Sequence, residues 1–388
     1  MASLEDVYVV GVGMHRINND GTPIREMAFV AGMAALEDAG VRFDEIEYVY
    51  NGYRPVDPLF NGIVVTKELG LTGVPVTQVE NASATGSAAF REAALKVSSG
   101  EVSIAMATGW AADLALSGMG EGFVSPSPTS IEGRLLPNAF FAMWAVRRMH
   151  EVGTTVETYA AIAAKNWNHA RHNPYARRRA DHEVTIDEVL ASRKIAYPHT
   201  SMMSAAVGAG AACAIVANRE TAKRIAEAQG RPLIRVLASQ MQSERYVPGH
   251  VFMGAMVGPS ELTRTTAMAA YEQSGVGPQD LSLVHVHDAF PVEELLYMEL
   301  LGICGDGEAD KLVAEGATTL GGSIPFSTDG GLIARGHPGG PTGMAQIWDI
   351  TTQLRDEAGP RQVEGARVGL AHMMGAGSVC ITHILARD

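Results

Sequence analysis

Thiol chemistry is scarce in this sequence. Its 388 residues include three cysteines, Cys213, Cys304 and Cys380, and no two stand at a spacing that pairs them or ligates a metal. Cys213 and Cys380 fall inside apolar, strand-like runs, where a cysteine packs as a small hydrophobe. Twelve histidines are present, but none shares metal-ligand spacing with cysteines or carboxylates, so no metal site is expected. No apolar run approaches the roughly 18 residues of a membrane span. The opening MASLEDVYVV lacks the basic region of a secretion signal, which makes a cytoplasmic location the expectation. Positive charge is also short. Thirty Lys and Arg against 43 Asp and Glu leave a net charge of −13, which argues against general nucleic-acid affinity. What remains is 46% hydrophobic and 19% charged, the composition of an ordered globular protein. The chain is long enough for two domains or two halves.

Strand-like and helix-like stretches alternate from the start. Val7–Val12 reads as a strand, Pro23–Ala39 as a helix stopped by Gly40, and Tyr48–Tyr53 as a strand. A short helix near Gly62–Leu69 precedes the strand Pro75–Val79, and the helix Gly86–Ser99 precedes the apolar strand Val102–Gly109. Such alternation implies right-handed crossovers and a mostly parallel sheet. Residues 112–200 break the rhythm with Pro126, Pro128 and Pro137, a polar helix over Thr155–His172, then NPYARRR; this is a covering insertion of the kind that shapes ligand pockets. Alternation resumes at Met202–Ala217, and a second half repeats the outline from Pro232. The division expected is 1–225 and 226–388.

Four stretches carry the chemistry. Ser83, in VENASATG, sits where a strand turns directly into a helix, beside unpaired N–H groups that stabilise developing negative charge. Taken alone, Ser83 or Thr85 could simply cap that helix. His337, in RGHPGG, is bracketed by Gly336, Pro338, Gly339 and Gly340, a backbone built for close approach and a stiff turn. His287, in HDAF, ends a strand, although His285 shares its face and a core histidine pair is the alternative. His372 and Gly375 lie in AHMMGAG. Two similar halves meeting at their helix starts would bring Ser83 and His337 into one cleft.

In this order VENASATGSAAF, NPYARRR with VLASRKIA, HDAF, GHPGGPTG and AHMMGAG resemble the thiolase superfamily over nearly the whole chain, closest to its sterol-carrier-protein-type and archaeal-type members. The resemblance implies an α/β fold of two βαβαβαββ halves in a five-layer αβαβα sandwich with a large covering loop region. It implies coenzyme A thioesters as substrates, CoA as substrate or product rather than a covalently held cofactor, and a homodimer or dimer of dimers. A small zinc-ribbon and OB-fold partner subunit is a further expectation. It places the acyl-accepting position at Ser83, its activating base at His337, an oxyanion site at His287 and His337, and a second oxyanion site at the N–H groups of Ser83 and Gly375.

The departure is at sulfur. Active thiolases carry a cysteine at the position of Ser83 and usually a second at that of Met373 or Ala289. A serine hydroxyl needs a base at the moment of attack, whereas a thiol of pKa ~8.5 ionises readily. Three readings therefore stand. One is a thiolase-type acyltransferase acting on a carbon–carbon bond of a 3-oxoacyl-CoA, with His287 or His372 moving the second proton. Another is a retro-aldolase on a 3-hydroxyacyl-CoA, which needs a base and an oxyanion site but no acyl-enzyme. The third is a non-catalytic carrier of CoA esters or lipid. Arg177, Arg178 and Arg179 are either a solvated charge run or ligands for the CoA phosphates. Met202, Met203, Met253 and Met256, with Tyr246, are candidates to line a pocket for a bulky or aromatic acyl group.

Overall fold

The computed structural model describes residues 4, 6–53, 62–111, 137–245, 260–375 and 379–388. Pro126, Pro128, Tyr246, Met253 and Met256 lie outside them. The first half runs β1 (Val7–Met14), α1 (Ile24–Ala39), β2 (Tyr48–Tyr53), α2 (Gly62–Leu69), β3 (Val76–Val79), α3 (Thr85–Ser98) and β4 (Ile104–Ala111). An intervening segment holds α4 (Pro137–Glu151), α5 (Val156–Ala170), α6 (Ile186–Ala191) and a small hairpin of β5 (Lys194–Ala196) and β6 (His199–Thr200). The half closes with β7 (Gly210–Asn218) and α7 (Arg219–Gln229). The second half runs β8 (Ile234–Ser243), α8 (Ser260–Ser274), β9 (Leu283–His285), α9 (Pro291–Leu300), α10 (Ala309–Ala314), α11 (Gly331–Ala334), α12 (Thr342–Leu354), β10 (Val368–Gly375) and β11 (Val379–Arg387). α7 ends at Gln229 and β8 begins at Ile234.

Among the described residues, nine strands hydrogen-bond in the order β3-β2-β4-β7-β1-β8-β11-β10-β9. Outward from the β1–β8 seam, both halves follow one plan. The first strand (β1, β8) lies antiparallel to the last (β7, β11), which is antiparallel to β4 or β10, which in turn runs parallel to β2 or β9. β3 continues the first half in parallel with β2, and a single parallel bridge between Val284 and Phe326 marks the same place in the second. The seam itself is two residue pairs, Tyr8 with Arg235 and Val9 with Ile234. The sheet is thus mixed, which corrects the expectation of a mostly parallel one. β10 and β11 are separated by three residues, too few for a crossover, so they must return antiparallel. β7 takes the equivalent place after the insertion.

Helices fill both outer faces and the middle. Phe90 and Ala94 of α3 and Ile347 and Ile350 of α12 share one core with Val9 and Val216 of the first half and Val236 and Leu385 of the second. α1, α2 and α7 cover the far face of the first half through Met27, Leu36, Val65 and Ile225. α4, α5, α8 and α9 cover the far face of the second through Phe141, Ile162, Leu262 and Leu295. Five layers, αβαβα, result.

The middle layer forces its two helices together at their starts. A Cβ on Gly86 would lie 2.6 Å from the carbonyl oxygen of Gly340, and one on Gly343 would lie 2.0 Å from Ser87 Oγ. Neither glycine leaves room for a methyl group, so the N-termini of α3 and α12 meet at backbone distance. Gly343→Ala is therefore expected to cost about 1–3 kcal/mol of stability in denaturant unfolding. Ser87→Ala in the same chain should recover part of that loss, because the nearest obstructing atom is the serine oxygen.

Candidate active site

Ser83 lies in one 3₁₀ turn, Ala82–Ala84, between β3 and α3. Ala82 has φ +49°, a left-handed conformation uncommon for a residue with a Cβ. Local bonds hold the bend. The Ala82 N–H donates to Glu80 Oε1 (2.8 Å), while Thr85 Oγ1 accepts from the Asn81 N–H (2.9 Å) and donates to the Ala82 carbonyl (2.6 Å). The local side-chain bonds at the helix start therefore belong to Thr85. Ser83 Oγ faces His337 Nε2 instead, at 3.1 Å.

His337 sits in the loop between α11 and α12, five residues ahead of α12 rather than at its first turn. Its Nδ1 is 2.9 Å from Oγ1 of Thr342, the first residue of α12, and its N–H donates to the Ala206 carbonyl (2.7 Å). The flanking Gly336 and Gly339 both adopt positive φ, +120° and +80°, which the sharp loop requires. Burial first, then the charges of His287 and Arg335, hold His337 well below the ordinary histidine range. It is a neutral imidazole. In the tautomer that donates Nδ1–H to Thr342, Nε2 accepts from the Ser83 hydroxyl.

His287 packs edge-on against His337, ring centroids 5.1 Å apart and planes at 88°. Its Nδ1 donates to Glu293 Oε1 at 2.8 Å, leaving Nε2 for the cleft. Glu293 also accepts from the Phe290 N–H (3.1 Å) and the Tyr297 hydroxyl (3.3 Å), three donors that suit an ionised carboxylate. Burial alone would lower His287, but the charge and hydrogen bond of Glu293, with Asp288 behind, raise it above the ordinary value. The site thus pairs a neutral imidazole with a readily charged one.

The candidate residues divide. Ser83, His287 and His337 converge. Gly375 ends β10 against the same turn, since a Cβ there would lie 2.4 Å from the Asn81 carbonyl oxygen. His372 does not join them: its Nε2 meets Thr263 Oγ1 (3.1 Å), its ring packs on Tyr297, and burial pushes it down to about 3. The charge of His287 adds to the lowering, so His372 stands behind that ring with its Nε2 engaged by Thr263. His285 is the core histidine, its Nε2 3.0 Å from Asp349 Oδ2. His285, Asp329 and Asp349 bring donor atoms within 4.8 Å of one another, but Arg335 and Arg361 already neutralise the two carboxylates. Within the arginine run, one side chain is committed to the fold. Arg178 donates to the carbonyls of Ser204 (2.6 Å) and Ile333 (3.0 Å) and stacks on Trp167, so it braces the fold and is not free for a phosphate. Arg177 donates its backbone N–H to the Arg335 carbonyl, and Arg179 Nε donates to the Arg171 carbonyl (3.4 Å), contacts that leave the phosphate reading of these two open.

Glu293 and Thr342 were not anticipated as site residues. Glu293 was detectable, because Pro291 and a glutamate two residues later mark a helix start whose carboxylate turns back to the preceding chain. Thr342 carried no such mark.

A five-layer α/β sandwich with a serine and two histidines at the join of its halves defines a class of enzyme scaffold. The Thiolase C-terminal domain-like family matches residues 253–387. Sterol carrier protein 2 of Oryctolagus cuniculus is 33% identical over 400 residues, covering 98% of this chain and 72% of that protein. Benzoylsuccinyl-CoA thiolase subunit BbsB of Thauera aromatica is 33% identical over 378 residues, covering 96% and 95%. Among solved structures, the Ltp2-ChsH2(DUF35) aldolase superposes with TM-score 0.83 at 21% identity, over 100% of this chain and 99% of that one. The chain belongs to the thiolase superfamily.

Histidine side-chain resonances test the electrostatics directly. His287 should titrate above pH 6.5, while His337 stays neutral well below it. Glu293→Gln removes the charge that raises His287, so its titration should fall to the ordinary value or lower. An unchanged His287 in that variant would contradict the assignment.

Proposed function

We propose that this chain makes or breaks a carbon–carbon bond next to the carbonyl of a coenzyme A thioester. Both chemistries open to it share one demand, negative charge on the thioester oxygen. His287 Nε2 supplies a donor for that charge, and its tie to Glu293 keeps the ring oriented and raises its proton affinity. The N–H groups of Ser83 and Gly375 are the proposed second oxyanion site.

The leading reading is thiolase-type acyl transfer, and the Ser83–His337 hydrogen bond of 3.1 Å carries it. As Ser83 Oγ bonds to the thioester carbon, its proton passes to His337 Nε2. The departing CoA sulfur takes that proton, and the acyl group waits on serine for the carbon nucleophile. One observation favours the second reading, retro-aldol cleavage. Position 83 is a serine, and the oxygen ester it would form lacks a thioester's reactivity toward a carbon nucleophile. In that reaction His337 takes the proton of a 3-hydroxyl, the Cα–Cβ bond breaks to give a carbonyl compound, and the thioester enolate regains the proton at Cα. A homodimer and a partner subunit of zinc-ribbon and OB-fold type belong to the same proposal. The subunit naming of BbsB and the paired naming of Ltp2-ChsH2 support it. An aromatic or otherwise bulky acyl group is the proposed cargo.

The two reactions separate cleanly by experiment. With acyl-CoA, intact mass should reveal an acyl adduct that Ser83→Ala abolishes. If no adduct forms but a 3-hydroxyacyl-CoA releases an aldehyde or ketone, the retro-aldol reading replaces it. Under either, His337→Ala should lower kcat by about 10²–10⁴-fold. Binding of thioester without turnover, unchanged in His337→Ala, would leave only the carrier reading.

A further inference from the structure

Asp288 follows His287 in HDAF but turns away from the cleft and is completely buried. Its carboxylate joins three separate segments. Oδ2 accepts from Asn166 Nδ2 (2.6 Å) on α5 and from Ser327 Oγ (2.9 Å), and Oδ1 accepts from the Leu332 N–H (2.8 Å) on α11. The chain closes tightly around it, for a Cβ on Gly331 would lie 1.9 Å from Oδ2, and Gly331 holds φ +58°. Five residues beyond Leu332 comes His337. One carboxylate therefore fastens the segment that carries one histidine to the segment that leads into the other. The anchor behind both is α5, within the insertion.

The rest of the insertion and the residues that follow it repeat the pattern with further bonds. Ala205 N–H donates to Ala289 O (2.9 Å), Ala206 N–H to Leu332 O (3.1 Å), and Arg178 N–H to Ala334 O (3.0 Å). Asn173 Nδ2 holds Asp329 O (2.9 Å). We infer that Asp288, held by Asn166 of the insertion, is a positioning residue that fixes the spacing of His287 and His337. The inference rests on the thioester chemistry proposed above for its kinetic consequence, but the spacing itself is readable without substrate. A displacement near 1 Å between catalytic groups is enough to cost about 10²-fold in rate.

Asn166→Ala is the cleanest probe, because it removes a donor to Asp288 without changing any charge near either histidine. Asp288→Asn tests the other partner, and the double variant N166D/D288N exchanges donor and acceptor while keeping the net charge. Each single variant should lower kcat on the thioester substrate by about 10- to 100-fold with KM changed less than about threefold. The double variant should recover at least about tenfold of that loss, which a general loss of folding would not allow. In parallel, Asn166→Ala should move the titration of His337 toward the ordinary histidine value, since that ring is held down partly by the nearness of His287 and Arg335. Folded Asn166→Ala protein with kcat and the His337 titration both unchanged overturns the inference. So does a double variant no better than the singles. Titrations that shift as stated in a protein whose wild type turns over no thioester would uphold the positioning role and refute the proposed chemistry.

Discussion

Two glycines set the geometry on which everything else depends. Gly86 and Gly343 let the first turns of α3 and α12 approach until backbone meets backbone and side chain, with the Gly340 carbonyl lodged between. Because each helix belongs to a different half, this contact fixes where the two halves place their chemistry. The turn before α3 delivers Ser83, and the loop before α12 delivers His337. A larger residue at either glycine would move one group away from the other. The two-residue seam between β1 and β8 is too slight to set that distance by itself.

Electrostatics then divides the labour between the histidines. His337 has a hydroxyl partner on each ring nitrogen and lies in a buried setting with positive charge nearby, so it stays neutral. His287 has a buried carboxylate on its far nitrogen and takes up charge readily. Under the proposed chemistry, a base and an electrophile with ring centroids 5.1 Å apart suit an oxygen that must acquire charge and a proton that must leave. The insertion serves this arrangement from behind. Arg148 ties α4 to Glu299 and Asp310, Lys165 ties α5 to Glu294, and Asn166 reaches Asp288. It acts as scaffolding for the loops, a role that its composition as a cover does not reveal.

Much of the site was legible because its residues stand in unusual local settings. Ser83 at a strand-to-helix bend and His337 among glycines are each marked by their neighbours, and the order of the motifs did the rest. Strand and helix positions followed from apolar runs and glycine stops. The antiparallel returns of β7 and β11 were less visible, since direction depends on connection length and on an insertion that resembles any other. Roles that arise only through contacts across the fold left no local trace. Arg178 looked like part of a charge run but is folded against carbonyls, and His372 looked like its neighbours in the motif but faces Thr263. Glu293 was within reach through its helix-start pattern. Thr342 and Asn166 were not, because a single hydroxyl or amide acquires its meaning from a partner elsewhere in the fold.

The central claim is that His287 and His337 together receive a thioester oxygen beside Ser83. A crystal structure of the protein with a non-cleavable CoA thioester analogue tests it most directly. The account predicts the carbonyl oxygen, or its isostere, within about 3.2 Å of His287 Nε2, with the carbonyl carbon or the adjacent carbon beside Ser83 Oγ and His337 Nε2. An analogue bound with its carbonyl remote from both histidines would contradict it.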